Sequence, residues 1–224
     1  PNILVLMTDQ QRWDSLGAYG CDWAHTPNLD QLAAEGTVFD ACIVNNPICT
    51  PSRASMLTGK HLPGHSVYKL YDVLPEDEIL VSERLRHRGY TTALFGKLHV
   101  SAKDYEHYRR HPHDGFDIFE SCMEGCLCMD APNQAYAQWL RENHPAFYDR
   151  LSSNRRAVLH HPSDVHFTHW AAERTIDFLR RHDGAAPFFC MMSIFDPHNP
   201  YQDYPQEMAE VLDPATIPDP QPVD

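Results

Sequence analysis

The chain opens with an apolar run, NILVLM (2–7), that stops abruptly at the polar Thr8, Asp9 and Gln10. Continuous rather than alternating apolar residues predict a strand buried on both faces, as in a parallel sheet. Two later segments have the same character, YTTALFG (90–96) and PFFCMMSIFD (187–196). Between these runs the period lengthens to that of a helix. TPNLDQLAAEG (26–36) has Thr26 in position to cap, Pro27 at the first helical residue, apolar Leu29, Leu32 and Ala33, and Gly36 as a stop. EILVSERLRHRG (78–89) ends on glycine in the same way. SDVHFTHWAAERTIDFLRRH (163–182) is the longest helical segment, with Ser163 as its expected cap and Arg180, Arg181 and His182 complementing the dipole of the last turn.

Strands alternating with helices predict an α/β fold with crossover connections, a mostly parallel central sheet carrying helices on both faces. The stretch 101–160 is weakly periodic and rich in His, Tyr and Cys, and reads as an insertion packed over one edge of a single domain spanning 1–224. From about 205 the chain turns Pro-rich and acidic, with no further strand, and reads as a connection.

Composition narrows the function classes. With 224 residues, 42% hydrophobic and 22% charged, the chain has the balance of a globular domain. A formal net charge of −13 argues against nucleic acid or an anionic membrane surface as partners, so any bound anion must be met by a local cluster. Seven cysteines form an odd set in a chain too long to need staples, which favours a reducing, cytoplasmic setting. The first apolar run is too short to span a bilayer and lacks a basic flank; a leader removed before residue 1 would instead make the protein periplasmic or secreted.

Ligands of open α/β sheets sit beyond the carboxyl ends of the strands. The first predicted strand ends on Asp9 and Gln10, the second on Lys97 and His99, the third on Asp196 and His198. In NNPICTPSRASMLTG (45–59), Cys49 stands just before a helix expected from about Ser52 to Thr58, with Arg53 one turn on. A helix N-terminus can lower a thiol pKa or hold an anion. Two chemistries fit these residues: a thiolate nucleophile, or an oxyanion site near a metal held by Asp9. The glycines and wider spacing of a tyrosine-phosphatase loop are missing. CMEGCLC (122–128) has spacings that suit structural zinc poorly and predicts buried thiols, while His166 and His169, near one face of the 163–182 helix, are candidates for a substrate pocket.

The segment CTPSRASMLTG (49–59) resembles the signature of the type I, formylglycine-dependent sulfatases of the alkaline phosphatase superfamily. The resemblance continues in order through PNILVLMTDQQRWDSLGAYG (1–20), TTALFGKLH (91–99), GFDIF (115–119) and FDPHNPY (195–201). It implies an alkaline phosphatase-like fold and an enzyme that hydrolyses sulfate esters of small molecules or saccharides. It further implies that Cys49 is oxidised to formylglycine by a separate formylglycine-generating enzyme. Asp9 would ligate a divalent cation, calcium first with magnesium or manganese as alternatives, together with the hydrated aldehyde from Cys49. Gln10, where many relatives carry a second Asp, would be a weaker ligand. Arg53 would orient the diol, Lys97 would contact diol and sulfate, His99 the diol oxygen that later expels sulfate, and His198 the ester near its leaving group.

The implied reaction is a double displacement through a covalent sulfoenzyme, the second hydroxyl of the diol providing the exit. Hydrolysis of phosphonate monoesters or phosphodiesters is the alternative within the superfamily, and a catalytically silent binding protein the alternative outside it. The family's remaining metal ligands and a further sulfate-binding Lys come from strands beyond the 195–201 element, none of which is visible here. The chain therefore reads as the N-terminal part of a sulfatase, one that by itself binds metal poorly. A homo-oligomer is left open.

Overall fold

A computed structural model describes residues 1–124, 128–154, 158–211 and 213–219. Four parallel strands, β1 (Ile3–Met7), β2 (Thr91–Gly96), β3 (Ile118–Ser121) and β4 (Phe188–Ser193), form one sheet in the order β1-β4-β2-β3. Eight α-helices stand among the described residues: α1 (Pro27–Glu35), α2 (Cys49–Thr58), α3 (Leu62–His65), α4 (Val81–Arg86), α5 (Lys103–Glu106), α6 (Ala135–Asn143), α7 (Pro145–Asn154) and α8 (Phe167–Arg181). None of these helices is long and apolar enough to cross a membrane.

The inner strands β2 and β4 have covered faces on both sides. On one face Leu94, Phe189 and Met191 pack with Ala54 and Leu57 of α2. On the other, Ala93, Phe95 and Cys190 pack with Phe178 of α8. That is the parallel α/β sandwich expected from the unbroken apolar runs. A third cluster joins α6, α7 and the start of α8 to Phe195, just past β4, through Tyr136, Leu140, Leu151 and Trp170.

Several expectations change in detail. β1 is a sheet edge rather than a strand buried on both faces: Leu4 and Leu6 are 42% and 58% exposed. Only its inner residues, Ile3, Val5 and Met7, pack against the core. Ser163 does not cap the long helix. It begins a separate 3₁₀ turn, Ser163–Val165, and the α8 cap is His166, whose Nδ1 accepts from the Thr168 amide at 3.3 Å. Thr26 likewise makes no side-chain cap to α1; its hydroxyl accepts from the Gly17 amide at 2.9 Å and faces the Asp30 carboxylate at 3.1 Å, tying the 3₁₀ turn at Gly17–Tyr19 to the helix. The region read as an insertion contributes strand β3 and helices α5 to α7. Within CMEGCLC, Cys122 is buried, Cys128 is exposed, and Cys126 lies outside the described residues.

Two glycines are required by close approach. A Cβ on Gly96, at the end of β2, would stand 2.0 Å from the Ser193 carbonyl oxygen of β4. A Cβ on Gly115 would stand 2.1 Å from Cα of Glu83 in α4. The first contact sets the spacing at the strand ends from which the site is built.

Candidate active site

The carboxyl ends of β1, β2 and β4 converge. The Lys97 amide donates to the Ser193 carbonyl at 2.8 Å, the Ile194 amide to Met7 at 2.9 Å, and the Asp9 amide to Asp196 at 3.1 Å. These backbone bonds carry the sheet register past the strands and hold the three loops together. Helix α2 begins at Cys49, earlier than the sequence suggested, with Ile48 as cap residue. Its length and buried inner face aim the positive end of its dipole at the same place.

Asp9, Arg53 and Lys97 form the centre. Lys97 Nζ lies 2.7 Å and Arg53 Nη2 3.0 Å from the same oxygen, Asp9 Oδ2. All three are buried, at 6%, 1% and 2% exposure, so the pairing is what lets the charges stand there. Arg53 completes its fork by donating through Nη1 to the Lys97 carbonyl at 2.8 Å and to Ser193 Oγ at 2.9 Å. Burial raises the Asp9 carboxyl, but Lys97 and Arg53 outweigh it and hold it below the ordinary carboxylate range. Burial lowers the Arg53 guanidinium, against the pull of Asp9, of Cys49 and of Glu106. The half-buried Cys49 is thus within electrostatic reach of Arg53.

His99 sits in a left-handed backbone conformation, φ 56°. Its Nε2 is 3.1 Å from Thr50 Oγ1, and the Thr50 hydroxyl in turn donates to the Leu70 carbonyl at 3.3 Å. With the threonine proton so committed, His99 Nε2 carries the ring hydrogen, and the buried Nδ1 is a bare acceptor without a hydrogen-bond partner. Burial, then Lys97 and Arg53, push the His99 pKa down to about 2, so the ring is neutral. His198 is half-buried, its ring 4.4 Å from that of Phe195, over which Lys97 Nζ also lies at 5.0 Å. Its Nδ1 donates to the Asn199 carbonyl at 2.6 Å and leaves Nε2 outward. His198 acts electrostatically on both Asp9 and His99.

The structure therefore gathers Asp9, Cys49, Arg53, Lys97, His99 and His198 into one site, while the Gln10 side chain is exposed at a left-handed turn, φ 55°. Three further contributors, Thr50, Ser193 and Glu106, escaped the sequence reading. Glu106 accepts from the His99 amide at 2.8 Å and the Ser101 amide at 2.7 Å, which fixes the strained 97–101 loop. Burial pushes its carboxyl up to about 7, against those amides. Thr50 and Ser193 flank recognisable positions and could have been suspected; nothing in KDYEHY (103–108) announces Glu106.

Among the described residues no three His, Cys, Asp or Glu side chains form a complete metal-binding group. The donor at hand, the Asp9 carboxylate oxygen not taken by the cations, is hard and fits part of the six to eight oxygens that calcium takes.

The family model described as Sulfatase matches residues 1–219. An arylsulfatase of Clostridium perfringens is 32% identical over 98% of this chain and 48% of its own length. An N-acetylgalactosamine-6-sulfatase of Rattus norvegicus is 31% identical over 89% of this chain and 40% of its own. The crystal structure of a phosphonate monoester hydrolase from Agrobacterium radiobacter superposes with a TM-score of 0.75 at 24% identity, covering 97% of this chain and 45% of that one, a likeness of fold. The chain spans less than half the length of the curated relatives it matches. With the Sulfatase model matching residues 1–219, the chain belongs to the sulfatase family.

Proposed function

We propose that this site hydrolyses sulfate esters after oxidation of Cys49 to formylglycine. The observation that carries the reading is the buried Asp9–Arg53–Lys97 cluster at the N-terminus of the helix that Cys49 begins. Fixed positive charge from Arg53, Lys97 and the helix end is aimed where the sulfate oxygens gain charge in the transition state, in a site already shielded from water. The sulfatase relatives support sulfur over phosphorus as the reacting centre.

Each residue then has a task. Arg53 orients the hydroxyls of the hydrated aldehyde with a fork held rigid by the Lys97 carbonyl and Ser193. Lys97, anchored on Asp9, turns its remaining protons to a sulfate oxygen. Neutral His99 offers the bare Nδ1 as hydrogen-bond acceptor, which orients a hydroxyl. His198, its Nδ1 spent on Asn199, turns Nε2 to the leaving oxygen. A bond forms from a hydroxyl oxygen to sulfur as the bond to the alcohol oxygen breaks; loss of the second hydroxyl proton then regenerates the aldehyde and frees sulfate. A divalent cation, held in part by Asp9 and Gln10, would polarise a sulfate oxygen and acidify the attacking hydroxyl when bound.

The test uses the whole protein co-produced with a formylglycine-generating enzyme. It should hydrolyse 4-nitrophenyl sulfate with a higher kcat/KM than 4-nitrophenyl phenylphosphonate, and Cys49→Ala should abolish both activities. The reverse ranking would make it a phosphonate hydrolase, and activity retained in Cys49→Ala would overturn the nucleophile.

A further inference from the structure

Beside His198 lies a cavity of about 530 Å³, with Lys97 outside its lining. Its rim is the 196–208 segment and its other wall the start of α8. The rim is tied down: the His160 amide donates to the Gln202 carbonyl at 2.9 Å and the His161 amide to that of Asp203 at 3.0 Å. Tyr201, 67% exposed, and Tyr204, with its ring 4.8 Å from His160, are aromatic members of the lining. In the opposite wall His166 is buried, and burial pushes its pKa down to about 4, leaving it neutral. Its Nδ1 accepts from Thr168, so Nε2 carries the hydrogen and has no partner.

The charges in the lining are one-sided. Asp196 and Asp203 face the cavity, and no Lys or Arg lines it. Asp196 is held by the Thr168 hydroxyl; burial raises both carboxyls, Asp203 to about 6 with Asp196 and Glu124 adding to the rise, so the acidic wall is most fully charged above neutral pH. Across a few ångströms of partly excluded water, such a wall repels an anion and attracts a cation by an amount that changes affinity several-fold or more.

We infer that this cavity receives the alcohol portion of the ester, and that its acidic wall makes the enzyme select alcohols that carry no second anion, cationic ones first. This rests on the sulfate-ester reading above, because it is His198 at the leaving oxygen that puts the alcohol in the cavity. A ring of the alcohol stacks on Tyr201 or Tyr204, and a cationic substituent points at Asp203. A second sulfate or a carboxylate on the alcohol meets the two aspartates with no Lys or Arg in the lining to offset them, the lining's other titratable groups being His166, His169 and His198. The acidic balance of the whole chain points the same way, but the selection is local.

Two aryl sulfates of similar size separate the cases: tyramine O-sulfate, with an ammonium arm, and the O-sulfate of 4-hydroxyphenylpropionate, with a carboxylate arm. On the whole, matured protein, kcat/KM should favour the first by about tenfold or more at low salt, mostly through KM, and the preference should shrink as salt rises. Asp203→Asn should cut the ratio several-fold, whereas Asp22→Asn, outside the lining, should leave it unchanged. A ratio near one, a preference for the carboxylate ester, or a ratio insensitive to Asp203→Asn would overturn the inference. If neither ester, nor phenyl sulfate, is hydrolysed, the hydrolase reading fails instead. Calorimetric titration of the free phenols, tyramine against 4-hydroxyphenylpropionate, then still decides the preference of the cavity, tyramine binding more tightly if the inference holds and no more tightly if it does not.

Discussion

The centre of the sheet and its β1 edge are written in much the same apolar alphabet and end in opposite surroundings. In β2 and β4, Leu94, Cys190 and Met191 are fully buried; in β1, Leu4 and Leu6 stand largely in water. The residues do not differ in kind, the neighbours do. β4 lies between two strands and under helices on both faces, whereas β1 has one strand partner and one covered face among the described residues. Yet β1 delivers the central carboxylate of the site, because Asp9 is fixed by the cations and backbone of the inner strands' loops and not by the layer on β1 itself. An apolar run thus identifies a strand without saying how deeply it will sit.

The sharpest break in this contrast is Asp9→Asn. It leaves Arg53 and Lys97 buried without the carboxylate they share and should cost about 3–5 kcal/mol in denaturant unfolding, along with activity. An effect under 1 kcal/mol, read against the same scale of buried pairs, would mean that the cluster is open to water.

At the sheet centre, Leu94→Ala should cost about 2–5 kcal/mol by cavity formation, while Leu6→Ala on the edge should stay within about 0.5 kcal/mol in the same chain. Equal costs would show that the outer face of β1 is covered in solution.

Glu106→Gln should cost about 1–3 kcal/mol, since each carboxyl oxygen accepts one backbone N–H and the substitution sets an amide NH2 against one of them. It also changes the pH profile. The folded carboxyl, raised from 4.5 to about 7, holds its proton more tightly than the unfolded one, so its contribution is complete below 4.5 and is lost as pH rises toward 7. Thermal unfolding of the wild type should weaken across that window relative to Glu106→Gln; parallel profiles would contradict it.

The alternation of strands and helices was legible because parallel, two-sided burial leaves continuous apolar runs, and the candidate site residues stood out because they follow those runs. Cys49, Arg53, Lys97 and His198 could be identified from the family motifs they stand in. What stayed hidden depends on long-range partners. Strand β3 occupies a short stretch of a region with little periodicity, and its Glu120 reaches outward to Arg174 of α8. Ser163 has the composition of a cap but is displaced by His166, whose ring reaches the Thr168 amide. Glu106 acts on a loop through backbone amides, a relation that no local pattern encodes.

The central claim is that Cys49, at the head of α2 beside Arg53, is the precursor of the nucleophile. The most direct test is the mass of the peptide carrying Cys49 from the whole protein, made with and without a formylglycine-generating enzyme. The account predicts an aldehyde in place of the thiol only where that enzyme is present, with aryl sulfate hydrolysis rising in proportion to the aldehyde fraction. An unmodified thiol in both samples, or hydrolysis independent of the modification, would contradict it.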